Sequence, residues 1–276
     1  MIVYIASYPR SGNSWIKSLI FWHFQRLTSN VYRVKKSFKQ EKWHLRVVTK
    51  APNPEQQHLL WNKWTALYEP PLTPQATHRY LMPGCKKVLT EANRKQLAQE
   101  EDHFFLKTHE LPFPYYFEGE YVIQPVRNAG AVLWSYYNFI RDFQPWYRRR
   151  NLTEIIKGKA LFGTWNHYHL CWAQTAAQLE GRYLRIHYEW LGDHSGEVCT
   201  QIERFTGLKC FQRESIPFQH FKDRNPRMYR EGTMSGWEQY YSKEQLHLLW
   251  QVHGEAMQYL GYPEPDYEKG LEKSSY

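Results

Sequence analysis

Cysteine is scarce in this sequence. Four residues among 276 (Cys85, Cys171, Cys199 and Cys210), with no C-x-x-C spacing, are too few to staple a chain of this length, so a disulfide scaffold is excluded and a reducing cytoplasm is the expected compartment. Long apolar runs are missing as well. The longest stretches are interrupted within a few residues, against the roughly 18–20 apolar residues that a membrane span needs, so a soluble protein with no membrane partner is expected. The apolar start Met1–Ala6 has no basic region before it and is cut off by Pro9-Arg10-Ser11-Gly12-Asn13, which reads as a strand and not as a secretory leader. Nothing repeats, and no Ser/Gly-rich linker or charge block divides the chain, leaving a single domain over residues 1–276 as the simplest organisation. Acidic residues are in deficit: 27 against 36 basic ones gives a net charge of +9, which favours an anionic partner without saying whether it is a nucleotide, a nucleic acid or a membrane surface. Hydrophobic residues, at 42%, suffice for a full core and exclude a disordered or collagen-like chain. Aromatic residues are abundant, at 17%; most are expected to fill the core and some to line a pocket.

Strand-like and helix-like segments alternate. Ile2 to Ala6 is an apolar run of strand length ending in a Pro/Gly turn, and Ser14 to about Leu27 carries Ile16, Leu19, Ile20 and Leu27 near helical spacing. From Ser29 to Pro83 the sequence is rich in Trp, Pro, His and Lys without a clean period, and irregular structure with short helices is expected there. Beyond it, Glu91–Glu101 reads as helix, Phe104–Lys107 and Tyr121–Ile123 as strands, and Gly130–Phe143 as helix. Trp165–Leu179 then reads as helix, Tyr183–His187 as strand, and Gly196–Thr206 and Ser242–Leu260 as helices. Such alternation predicts an α/β fold: three layers, a central mainly parallel sheet with helices on both faces.

Three strand ends could carry chemistry. Ser7-Tyr8-Pro9-Arg10-Ser11-Gly12-Asn13-Ser14-Trp15 lies between the first strand and the first helix. A loop entering a helix presents backbone N–H groups and the positive end of the helix dipole; Gly12 permits close approach, Ser11, Asn13 and Ser14 add short donors, and Arg10 adds a charge. A phosphate cradle and a plain capped helix fit this segment equally, and the ATPase pattern G-x-x-x-x-G-K-[ST] is absent. In the second segment, Arg127 ends a strand and Ser135 lies about two turns into the next helix, so both could reach one phosphate, although a solvated helix face explains them as well. Pro125 is awkward in a central strand and weakens the strand assignment near its end. In the third, Phe104-Phe105-Leu106-Lys107-Thr108-His109 delivers Lys107 and His109 to a strand end; a histidine there can take a proton near neutral pH, while most histidines are structural.

Together these segments resemble the sulfotransferases that use 3′-phosphoadenosine 5′-phosphosulfate, PAPS. The opening loop is similar to that family's Y-P-[KR]-S-G-x-[ST]-W, Arg127 with Ser135 to R-N/D-x-x-x-x-x-x-S-Y-Y, and Lys107-Thr108-His109 to K-T-H. Further matches are Gly163-Thr164-Trp165 with Trp172, His187-Tyr188-Glu189, and Tyr229-Arg230-Glu231-Gly232 followed by Gly236-Trp237. The resemblance implies a P-loop-kinase-like fold and sulfonate transfer from PAPS to a hydroxyl or amine, giving PAP and a sulfate ester or sulfamate, with no metal. It assigns the 5′-phosphosulfate to Arg10, Ser11, Gly12, Asn13, Ser14 and Trp15, the 3′-phosphate to Arg127 and Ser135 with Arg230 and Gly232 closing over it, and the adenine to Tyr188. His109 becomes the general base, while Lys107 and Arg10 neutralise developing charge.

Departures from the family pattern are also visible. Arg stands at position 10 where many members carry Lys, making it a clamp and not a proton donor. Glu231 replaces a usual Lys, and Glu238–Glu244 does not reproduce the dimer signature of animal cytosolic members, so oligomeric state stays open. The acceptor is expected to be a small hydroxylated or amino metabolite, such as a natural product or toxin, lined by Lys35–Pro83 and Phe143–Leu161. Trp43, Trp61, Trp64, Tyr68, Trp146 and Tyr147 are candidates for stacking on it, and Arg148-Arg149-Arg150 is either an anion contact or a solvated turn. A nucleotide kinase and a basic nucleic-acid-binding protein are the alternatives; the first lacks a Walker Lys and the second any nucleic-acid module signature, so no nucleic-acid partner is expected.

Overall fold

A computed structural model describes residues 1–24, 26, 28–30, 91–101, 103–144, 148–159, 162–210, 219, 222–223 and 236–270. Five strands form one sheet: β1 (Ile2–Ala6), β2 (Thr28–Asn30), β3 (Phe104–Thr108), β4 (Glu120–Val126) and β5 (Tyr183–His187). Their order is β2-β3-β1-β4-β5, and every pairing is parallel. Among the described residues the α-helices are α1 (Asn13–Phe24), α2 (Glu91–Gln99), α3 (Ala129–Phe143), α4 (Leu152–Ile156), α5 (Trp165–Gln178), α6 (Trp190–Asp193), α7 (Ser195–Thr206) and α8 (Lys243–Tyr259). None is long and apolar enough to cross a membrane.

Alternation along the strands makes the layers. Ile2, Tyr4, Leu106 and Val122 pack with Val132, Tyr136 and Ile140 of α3, Trp165 and Trp172 of α5, and Leu246, Leu249 and Met257 of α8. Their neighbours Val3, Ile5, Phe105, Ile123 and Ile186 face the other way, against Ile16, Leu19 and Ile20 of α1 and Val198 and Ile202 of α7. Both faces of the sheet are covered, which is why β1 reads as an unbroken apolar run. The α/β, three-layer expectation holds, with the sheet parallel throughout.

Several elements differ from their expected form. Helix α1 stops at Phe24 instead of near Leu27. Thr28–Asn30 is a strand although its second half falls in a stretch expected to be irregular: three residues carry no period, and pairing with β3 (Ser29 with Leu106) defines it. Pro125 lies inside β4 without breaking it, opposite Ile186 of β5. The Val122 N–H donates to Arg182 and the Val126 carbonyl accepts from Tyr188, so even-numbered peptide groups of β4 face β5 and that of Pro125 faces β1. Pairing with β1 ends at Ile5–Ile123, so the donor that proline lacks is one the ladder does not use.

The chain leaves β1 toward β2 and leaves β4 toward β5, opening a switch point between the C-terminal ends of β1 and β4. At the opposite end, Arg94 of α2 grips Glu120 with Nε on Oε1 (2.8 Å) and Nη2 on Oε2 (2.7 Å). The Tyr4 hydroxyl donates to Oε1 (2.6 Å), the Phe117 N–H to Oε2 (2.8 Å), and the Phe113 ring lies 3.8 Å beneath the guanidinium.

Candidate active site

The loop after β1 is wound tightly. The Ser7 N–H donates to the Thr108 carbonyl (3.1 Å) and that of Ser11 to the Tyr8 carbonyl (3.2 Å). Arg10 has φ +74° and Gly12 φ +96°. For Gly12 the requirement is also steric, since a Cβ there would sit 2.7 Å from the Tyr188 ring. Helix α1 opens with the Trp15 and Ile16 N–H groups both on the Gly12 carbonyl, at 2.9 and 3.0 Å. Ser11 is fully buried, and neither its Oγ nor Asn13 Oδ1 has a hydrogen-bond partner among the described residues.

Two arginines from distant segments converge on this loop. Arg10 Nε donates to Ser135 Oγ of α3 (3.0 Å), and its guanidinium lies 5.1 Å from the Phe139 ring. Arg127, just beyond β4, lies 4.1 Å from the centre of the Tyr188 ring, which meets Trp15 edge-on at 5.7 Å. The loops after β1, β4 and β5 thus share Tyr188. Asn128 caps α3 by accepting from the Gly130 N–H (2.9 Å). Gly130 is covered by Trp237, whose ring would lie 2.0 Å from any Cβ, and its carbonyl accepts from the Tyr241 hydroxyl (2.7 Å). The Gly236-Trp237 pair therefore closes the helix end next to Arg127.

His109 follows β3. Its Nδ1 donates to the Ser7 carbonyl (2.6 Å), which fixes the proton on Nδ1 and makes Nε2 the basic nitrogen. Ser7 Oγ, 3.4 Å from Nδ1, accepts from Asn13 Nδ2 (2.8 Å), so the loop after β1 and the histidine are one hydrogen-bonded unit. Burial and the charges of Lys107 and Lys17 hold the His109 pKa well below the ordinary imidazole value, against the Ser7 carbonyl, which favours the charged ring. The ring meets Phe162 edge-on at 5.5 Å. Behind it, Trp172 Nε1 donates to the Glu110 carbonyl (3.3 Å), steadying the strand end.

The result is a histidine whose pKa is held low beside a glycine-containing loop and helix start, with Arg10 and Arg127 converging on the loop and the charges of Lys107 and Lys17 acting on the ring. Comparison with protein families matches residues 2–261 to the sulfotransferase domain. The chain belongs to the sulfotransferase domain family. Among solved structures this sulfotransferase is similar to mouse sulfotransferase SULT7A1 complexed with PAP (13% identity, TM-score 0.55, 93% of this chain and 84% of that one). It is also similar to retinol dehydratase in complex with androsterone and the inactive cofactor PAP (18% identity, TM-score 0.56, 93% and 80%) and to retinol dehydratase with retinol and PAP (19%, TM-score 0.55, 93% and 81%). No curated protein matches it.

Of the residues expected to act in this sulfotransferase, the structure brings together Arg10, Ser11, Gly12, Asn13, Ser14, Trp15, Lys107, His109, Arg127, Ser135 and Tyr188. Arg230 and Gly232 lie outside the described residues, as do Lys35–Pro83, Trp146 and Tyr147. The expected acceptor-lining stretch Phe143–Leu161 needs correction in part: Leu152, Ile155 and Ile156 of α4 are buried in the core. Arg148, Arg149 and Arg150 form an exposed turn, with Arg150 on Glu154 at 2.7 Å. Sequence reasoning missed Ser7 and Lys17. Ser7 was legible only as the first loop residue; Lys17, four residues after Asn13, is a lysine just 7% exposed whose charge acts on His109, and nothing in the sequence separates it from an ordinary helix lysine.

Proposed function

We infer that this sulfotransferase moves a sulfonate group from PAPS to a hydroxyl or amine of a small acceptor in the cytoplasm, releasing PAP and a sulfate ester or sulfamate. The carrying observation is the 2.6 Å bond from His109 Nδ1 to the Ser7 carbonyl, which aims a basic Nε2 from the same unit that forms the anion cradle. The cradle suits a phosphosulfate: Ser11 Oγ is buried without a partner among the described residues, and Gly12, lacking a Cβ, lets the Tyr188 ring pack directly on the loop. Arg10 and Lys107 supply charge of the required sign. When bound, PAPS supplies the activated sulfonyl group. His109 Nε2 takes the acceptor's proton as its oxygen or nitrogen bonds to sulfur and the bond from sulfur to the phosphate oxygen breaks. Lys107 and Arg10 offset the negative charge that develops, with Arg10 remaining protonated throughout. Arg127 and Ser135 hold the 3′-phosphate, and Arg127 in turn orders Tyr188 toward the adenine. Relatives crystallised with PAP, and retinol dehydratase with retinol or androsterone, support both the nucleotide and a small hydroxylated acceptor. The family match across residues 2–261 supports one domain.

The test is thermal unfolding with PAP, 5′-AMP or Mg·ATP at matched concentrations. PAP at about 100 times its dissociation constant is expected to add roughly 2.7 kcal/mol, with little effect from the other two. Stabilisation by Mg·ATP above PAP would replace this reading with that of a kinase.

A further inference from the structure

His23, Cys199 and Cys210 meet on the face of the sheet covered by α1 and α7. His23 is in the last turn of α1, Cys199 in the second turn of α7, and Cys210 three residues beyond Gly207, whose left-handed conformation (φ +74°) ends α7. One potential ligand atom from each lies within 4.8 Å of those of the other two. His23 is 2% exposed, Cys199 0%, and Cys210 partly exposed.

The geometry points to a metal site at these three residues, for a divalent ion of borderline softness, zinc above all. Two sulfurs and an imidazole are the donor set that zinc selects, and neighbouring ligand atoms around a tetrahedral zinc stand about 3.5–4 Å apart, a contraction within the reach of side-chain rotation here. Hard cations such as magnesium or calcium prefer oxygen and would not compete. The Cys210 segment is held in place, its N–H donating to Glu203 Oε1 (3.2 Å), while His103 Nε2 donates to the Thr206 carbonyl (2.7 Å) at the end of α7. The partly exposed Cys210 side offers an entry path and a fourth position for water. On binding, the two thiols give their protons to solvent and the imidazole stays neutral, so affinity rises with pH. His23 lies ten residues along α1 from Asn13, about 15 Å away, which makes the ion a staple between helices and no participant in sulfonate transfer.

Cobalt(II) is the probe, added to the full-length chain after treatment with chelator and reductant. The expected result is a sulfur-to-cobalt charge-transfer band saturating near one ion per chain, displaced by zinc, with about two protons released per ion. Cys210→Ser, at a partly exposed position, is expected to stay folded by circular dichroism and to weaken cobalt binding at least tenfold, and Cys171→Ser to change nothing. His23→Gln should shift the band while both thiolates remain. No charge-transfer band in the reduced wild-type chain would overturn the proposal, as would a band that survives Cys210→Ser unchanged or disappears with Cys171→Ser.

Discussion

The two ends of the sheet each gather charge into a buried setting, and they treat it in opposite ways. At the start of β4, Arg94 meets Glu120 through two hydrogen bonds, and the carboxylate is further bonded by Tyr4 and the Phe117 N–H. At the C-terminal ends of β1 and β4, Arg10 donates to the Ser135 hydroxyl and Arg127 packs on the face of Tyr188, contacts that orient both guanidiniums. Ser11 Oγ and Asn13 Oδ1 are buried there without partners among the described residues. The carboxylate satisfied from within serves stability, whereas buried polar atoms without partners beside two oriented guanidiniums are what the proposed nucleotide would meet.

Substitutions can break this comparison. The largest effect is expected from Arg94→Met, which leaves Glu120 buried without its cation and should cost about 3–5 kcal/mol in chemical denaturation. His109→Ala is expected to lower turnover on the order of a thousandfold while PAP affinity, read by calorimetry, changes little; equal loss of both would remove His109 from the base role. Arg127→Ala should do the reverse, weakening PAP about 10- to 100-fold through the loss of a charge-assisted contact, with stability nearly unchanged.

Acid sharpens the contrast with a gentler slope. Burial holds His169 at about 3 and His253 at about 4 from an ordinary value of 6.5, and His109 is also lowered. Below the ordinary value the unfolded chain takes up protons that the folded chain refuses. Stability should therefore fall as pH drops below 6.5, by about 1.4 kcal/mol per pH unit for each such histidine until its folded value is passed. In His109→Ala, denaturation across this range should show one proton's share less slope, while catalysis in the wild type should resist acid to below the ordinary imidazole range.

Much of the site was legible in the sequence because its parts are local. A strand end, a glycine and a helix start within nine residues specify the cradle, and Arg127 and His109 are each at the end of an apolar run. What was hidden depends on pairing across distance. Thr28–Asn30 is too short to show a period, and its strand exists through β3. Pro125 looked disruptive because the direction of its peptide group depends on register. Ser7 gains its importance from His109, 102 residues away, and Arg94 from Glu120, 26 residues away. By contrast, the Asn151–Glu154 capping box that starts α4 is local and could have been read from Asn-Leu-Thr-Glu.

The place of β1 in the sheet also bears on how the chain acquires its structure. Its partners begin at Phe104 on one side and Glu120 on the other, so Ile2–Ala6 leaves the ribosome long before either neighbour exists. Closing those loops makes a slow, non-local nucleation step. Until then an entirely apolar segment is exposed to wrong partners, and chaperone demand during synthesis should be concentrated in the interval before β4 emerges.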